Sequence, residues 1–196
     1  MNKIEEKVFL IKVLGTLISL KSEILTIDDS GYYIFRPEII KILHEKKCSN
    51  KIIDVLKKCL EIEDIKDLLP DMYYSNLQDL INLTMKQIRN INFKSYEELK
   101  IPFEKIECNI NIKQDLEKNI LIEILGMIEA INNDLITIEE SKIYLFNNSC
   151  INMLKNKKCS EKLIQLFSKL NEMEQIDNEL KKDAMIQLKA YPEIFM

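Results

Sequence analysis

Tryptophan is absent from this sequence, and its 196 residues include only one histidine, three glycines and four prolines. So few breakers argue against a fold of many tight turns. The wealth of Leu, Ile, Lys and Glu instead favours long helices with short connections. The shortage of imidazole removes the commonest general acid–base group. No glycine-rich phosphate loop, GxSxG, HExxH or CxxC occurs, so the chemistry those motifs carry has no seat here. A hydrolase built from carboxylates alone stays open, but no spacing pairs two of them. The expectation is a protein that is not an enzyme and needs no cofactor.

Long apolar runs are missing too: none approaches the ~18 residues of a membrane span. The opening "MNKIEEKVFLIKVLGTLISL" carries Glu5 and Glu6 at its start and Lys12 inside its apolar run, and no small-residue cleavage site follows. It reads as an amphipathic first helix rather than a signal peptide, which points to the cytoplasm. Five cysteines (Cys48, Cys59, Cys108, Cys150 and Cys159) are odd in number and form no pair at ligand spacing. They read as reduced thiols packed as small apolar groups, with no disulfide and no metal. His44 has no ligand partner nearby and belongs at a helix end, against terminal carbonyls or water. A net charge of −4 and a pI near 5.3 argue against a nucleic-acid surface.

What the chain does contain is a repetition. Shifted by 111 residues, positions 10–65 align without a gap on 121–176, and more than a third of the columns are identical. That is a tandem duplication of a module of several helices. Gly15 and Gly126 hold the same place inside the first helix of each copy. A helical glycine costs about 1 kcal/mol relative to alanine, so keeping it twice predicts a close helix crossing.

"TIDDS" (Thr26 to Ser30) returns as "TIEES" (Thr137 to Ser141). Thr26 and Thr137 each precede a helical run with a carboxylate three residues on, Asp29 and Glu140, which is the capping-box arrangement. Asp28 and Asp29 also suit the positive end of a helix, with contact to a partner as the alternative reading. "KKCS" recurs likewise, so that Ser49 and Ser160 read as N-caps of the helices that follow. Helices are expected near 3–22, 27–35, 37–46, 50–60, 62–69 and 71–92, with Pro37 at a first helical position and Pro70 closing an element. The second copy repeats this order from about 114, ending in a shorter helix near 181–190. Between the copies, "INFKSYEELKIPFEKIECNINI" reads as an extended linker, with room for a short strand. The predicted fold is all-α, in two related halves about a pseudo-twofold axis: 1–93, a linker over 94–113, and 114–196.

The densest charge is "EIEDIKD", with Glu61, Glu63, Asp64 and Asp67 inside two helical turns, echoed by Glu172 and Glu174. A solvated helix face is the plain reading. The sharper one is attraction of a basic protein partner. Its spacing lacks the glycine and ligand order of a calcium loop. Tyr32, Tyr73 and Tyr74 are candidate anchors for such a partner.

Taken together, "LGTLISL", "LTIDDS", "YIFRPEIIKIL", "CSNKIIDVL" and "LEIEDI" resemble a small bacterial domain family of uncharacterised function, mostly from low-GC Gram-positive bacteria. The resemblance runs from about residue 10 to 92 and covers the second copy less well. This chain departs from the pattern in carrying two copies and in replacing the second acidic stretch by "NEMEQI". Small acidic helical proteins of this kind are similar in character to immunity proteins, which neutralise toxins by occlusion. The leading functional expectation is therefore a non-catalytic protein-binding module, an immunity-type inhibitor of a basic toxin domain. A helical DNA-binding or regulatory protein and a structural oligomer are the alternatives. "CSNKIIDVLKKCL" starts like a recognition helix but offers few base-reading side chains, and Arg36 and Arg89 are isolated.

Overall fold

The computed structural model describes residues 1–91, 113–175 and 178–191. The chain divides into two compact units, the break falling between Phe93 and Lys94. In the first unit run α1 (Lys3–Lys21), α2 (Ile27–Tyr33), α3 (Pro37–Glu45), α4 (Asn50–Leu60), α5 (Ile62–Leu68), a 3-10 turn (Pro70–Met72) and α6 (Tyr73–Arg89). In the second run α7 (Lys113–Asn132), α8 (Ile138–Tyr144), α9 (Asn148–Asn156), α10 (Glu161–Glu172) and α11 (Asn178–Lys189). No strand occurs among the described residues. The interval read as a linker lies outside them up to residue 112.

In the first unit α6 lies along α1, α4 packs on both, α3 on α4 and α2 on α1. The second unit repeats these neighbours, with α11 along α7, α10 on α11, α9 on α10 and α8 on α7. The first helix starts in a capping box, in which Asn2 accepts from the Glu5 N–H at 2.8 Å and the Glu5 carboxylate accepts from the Asn2 N–H at 2.9 Å. It is not amphipathic as expected. Every residue from Leu10 to Leu17 is buried, including Lys12 and Thr16. A helix flanked by three others has no wet face to spare for a polar stripe. Its hydroxyls turn back on their own helix, Thr16 to the Lys12 carbonyl at 3.0 Å and Ser19 to the Gly15 carbonyl at 2.7 Å. Gly15 and Gly126 are both buried, in the helices along which α6 and α11 pack.

The duplication extends to individual hydrogen bonds. The first helix of each unit ends in a left-handed residue, Glu23 (φ 55°) and Asp134 (φ 53°). In each case the next N–H reaches back five residues, Ile24 to Ser19 and Leu135 to Ala130, both at 2.9 Å. That is the Schellman closure. Lys47 (φ 54°) and Lys158 (φ 56°) close the third helix the same way, with Cys48 N–H on Leu43 and Cys159 N–H on Leu154. Identical residues are also core residues: Leu10 and Leu121, Leu14 and Leu125, Tyr33 and Tyr144, Phe35 and Phe146 are all buried.

The copies part company after their fourth helix. Residues 61–72, holding α5 and the 3-10 turn, separate α4 from α6, whereas only residues 173–177 separate α10 from α11. The second unit therefore has no room for a counterpart of α5. Beyond this gap the register resumes at a shift of 100, where buried Thr84 and Ile88 of α6 correspond to buried Ala184 and Leu188 of α11.

Candidate functional site

Glu61 closes α4 and opens α5 at once, without a capping side chain. Ile65 N–H bonds the Glu61 carbonyl at 3.0 Å and Leu69 N–H bonds that of Ile65 at 2.9 Å, which completes two turns before Pro70 stops them. Only Ile62 of α5 is buried. Glu61, Glu63, Asp64 and Asp67 are all exposed, so the acidic stretch does face solvent. The structure adds what the spacing did not show. Leu68 (77% exposed), Leu69 (53%), Met72 (54%) and Tyr74 (48%) stand in the same segment, with Asp71 exposed among them. Large apolar side chains outside the core are few elsewhere in the described residues: Ile42, Ile143 and Ile186.

Of the three candidate tyrosines, only Tyr74 is exposed. Tyr73 is buried, with Lys66 Nζ 5.7 Å from its ring centre. Tyr32 is half-buried and stacks edge-on against Tyr33, their ring centres 5.2 Å apart. Tyr74 is exposed, and its hydroxyl donates to the carboxylate of Glu23. That bond pushes the Tyr74 phenol up from its ordinary value and holds the ring in place.

The two acids of "TIDDS" have different environments. Asp29 is 1% exposed, and its carboxylate accepts the Thr26 N–H at 3.2 Å while the Thr26 hydroxyl accepts the Asp29 N–H at 3.1 Å. Buried and bonded to its own helix, it is a capping residue and not a partner contact. Thr137 and Glu140 form the same box. Asp28 is exposed. It meets Glu63 across a cleft of about 90 Å³ between α2 and the α4–α5 junction, lined also by Ile27, Ser30, Gly31, Phe35, Cys59, Leu60 and Ile62. Tertiary folding thus joins Asp28 to the acidic stretch. In the second unit Glu172 ends α10, and Glu174 is exposed in the connection that replaces α5.

Ser49 and Ser160 hold the N-cap positions expected of them, but not by a side-chain cap. Both hold extended N-cap backbone, yet neither hydroxyl makes a cap hydrogen bond. Their backbone N–H groups are instead taken by carboxylates from the first helix, Glu6 and Glu117, each at 2.7 Å. The repeated "EK" at residues 6–7 and 117–118 was the available signal, lying just outside the aligned columns.

Cys48, Cys59, Cys150 and Cys159 are free and buried; Cys108 lies outside the described residues. Burial pushes the thiols of Cys48, Cys59 and Cys150 up to about 12, aided at Cys48 by Glu6 and at Cys150 by Glu123. They are inert packing groups. Among the described residues no His, Cys, Asp and Glu cluster is arranged to hold a metal, and no helix is long and apolar enough to cross a membrane. His44 is exposed in the last turn of α3, at the helix end expected of it.

Fold and surface together define a tandemly duplicated all-α protein whose first unit alone carries the α5 segment. The family description "Protein of unknown function (DUF3969)" matches residues 1–101 and again 111–189, and the chain belongs to that family. Both copies are matched, the second over the shorter segment. No curated protein and no solved structure gives a significant match to the chain.

Proposed function

We propose that the chain is a non-catalytic protein-binding module that docks a basic partner on the α5 segment of its first unit. The observation that carries this reading is the coincidence of Leu68, Leu69, Met72 and Tyr74, all exposed, with Glu63, Asp64, Asp67 and Asp71. An apolar and aromatic centre with a charged rim is the anatomy of a protein interface: the centre supplies affinity, the rim speed and register. Exposed leucines on so short a helix cost solubility and are hard to explain as fold requirements, since the second unit does without the segment. Tyr74, held by Glu23, presents its ring with little entropy left to lose. An inhibitor of immunity type that occludes a basic toxin domain is the specific form of this reading. The acidity of the chain and the absence of a catalytic set in its sequence support it.

The test compares capture from the native host by the wild-type chain and by a Leu68→Ser/Leu69→Ser/Met72→Ser variant, with captured proteins identified by mass spectrometry. The expected result is a basic protein that the variant loses, that arrests growth when expressed alone, and that co-expression of this chain silences. Equal capture by both chains would refute the α5 surface. A captured partner that is harmless alone would refute the inhibitor reading and leave the binding module.

A further inference from the structure

Ile186, on the outer face of α11, is the most exposed large apolar side chain of the described second unit, at 60%. The fold does not ask for it. In the register that relates α11 to α6 the same place holds Lys86, which is exposed as well. Lys182 and Lys189 lie four residues before Ile186 and three after, on the same side of the helix, and both are exposed. Beside them α10 and α11 bound a groove of about 410 Å³, lined by Ile186, Ala190 and Tyr191 together with Lys162 and Gln165. The acids at hand are turned to amides: Asp183 accepts the Gln187 amide at 3.1 Å, and Glu161 accepts that of Gln165 at 3.4 Å. No carboxylate among the described residues forms an ion pair with Lys162, Lys182 or Lys189. An apolar knob and groove inside a cationic rim is the counterpart, in charge, of the α5 face, where Leu68, Leu69 and Met72 stand among Glu63, Asp64 and Asp67. Each of these surfaces belongs to one copy of the duplication and not to the other. A small ligand held in the groove would leave Ile186 in water, whereas a protein surface laid on α11 would cover it.

We infer that the α5 face of one chain docks on the α10–α11 groove of a second copy of the chain, its leucines on Ile186 and its acids against Lys162, Lys182 and Lys189. Opposite charge sets the register of such a contact, and the apolar centre supplies its affinity. The inference takes the α5 face to be a docking surface, as above, and adds what covers it while no other partner is bound. The contact joins unlike surfaces, so two copies close it reciprocally or further copies extend it.

Sedimentation velocity of the full chain from about 10 µM to about 1 mM is the test. Expected is a mass that rises above the monomer with concentration and falls back as salt is raised. Lys182→Glu/Lys189→Glu on α11 and Glu63→Lys/Asp67→Lys on α5 should each weaken association at least about tenfold, with circular dichroism unchanged. Both pairs of changes in one chain exchange the charges, and should restore association to within about threefold of wild type. A chain that stays monomeric throughout, paired variants that associate like wild type, or a combined variant no better than either pair alone would overturn the inference. Lys182→Glu/Lys189→Glu leaves α5 intact, so it should still capture the basic host protein. Loss of that capture would give the groove to the host protein and overturn self-docking. Equal capture by Leu68→Ser/Leu69→Ser/Met72→Ser, which refutes the host partner's use of α5, leaves the rescue by exchanged charges as a separate result.

Discussion

Glu6 on α1 accepts the backbone N–H of Ser49 at the start of α4 at 2.7 Å, and the bond recurs between Glu117 and Ser160 at the same length. In both units a carboxylate from the first helix therefore seats the fourth, where a local cap was expected. Glu117 is 3% exposed and also accepts the Tyr191 hydroxyl, so its removal leaves the Ser160 N–H without its acceptor and takes one partner from Tyr191. We expect Glu117→Ala to cost about 2–3 kcal/mol and Glu6→Ala about 1–2 kcal/mol in urea unfolding, with the Gln variants near half of each. Replacing Ser49 by Ala should cost well under 1 kcal/mol, because its hydroxyl does not cap. A Ser49 variant as damaging as that of Glu6 would reverse this assignment.

Buried thiols make the fold sensitive to alkali. Cys59 and Cys150 are each 1% exposed and are held neutral up to about 12, against 9.0 for the free group. Their stabilising contribution is whole below pH 9 and is lost as pH climbs from there toward 12. The loss is about 1.4 kcal/mol per pH unit for each thiol, because the unfolded chain ionises first. Tyr191, pushed up to about 12 by burial and by Glu117, adds to the slope above pH 10. Urea unfolding followed from about pH 8 to about pH 10.5 should show this decline, and Cys59→Ala should make it shallower by one thiol's share. A flat profile would show that the thiols ionise freely in the folded chain.

Lys47 and Lys158 occupy left-handed backbone at helix ends where glycine is the unstrained choice. Both are exposed. Lys47→Gly and Lys158→Gly should each stabilise their unit by about 0.5–1 kcal/mol, the relief of Cβ strain outweighing the extra freedom of the unfolded glycine. A loss of stability in either variant would mean that the lysine side chain holds the turn.

The acidic face gives a kinetic prediction. A Glu63→Gln/Asp67→Asn variant should leave the urea midpoint unchanged, since both carboxylates are exposed. It should slow association with the captured partner and flatten its dependence on ionic strength. Stopped-flow mixing at two salt concentrations reads both effects. An on-rate equal to that of wild type would reduce the face to solvated surface.

Much of the architecture was legible in advance because its determinants are local. Helix ends followed Thr26, Pro37 and Thr137, whose backbone or hydroxyl chemistry acts within one turn. Ser49 and Ser160 were legible as N-cap positions, but the acceptor that satisfies their N–H groups was not, because it lies 43 residues earlier in the chain. α1 misled, since a scattering of Lys12, Thr16 and Ser19 looks like a polar face until three helices are packed around it. The acidic stretch could be read from charge density, but the exposure of Leu68 and Leu69 could not. A leucine is counted as core until the packing of α5 shows that Ile62 is its buried residue.

The sequence by itself determined that this chain is helical, that it is duplicated, and which positions the two copies must share. Periodicity, capping residues and repetition are written in neighbouring residues and survive without coordinates. Tertiary structure decided how the two copies differ in surface. It carried Asp28 to the edge of the cleft beside Glu63, buried Asp29 one residue away, and left the α5 leucines in water. Those outcomes depend on which helix lies against which, and that is set by the summed burial of many side chains rather than by any local motif.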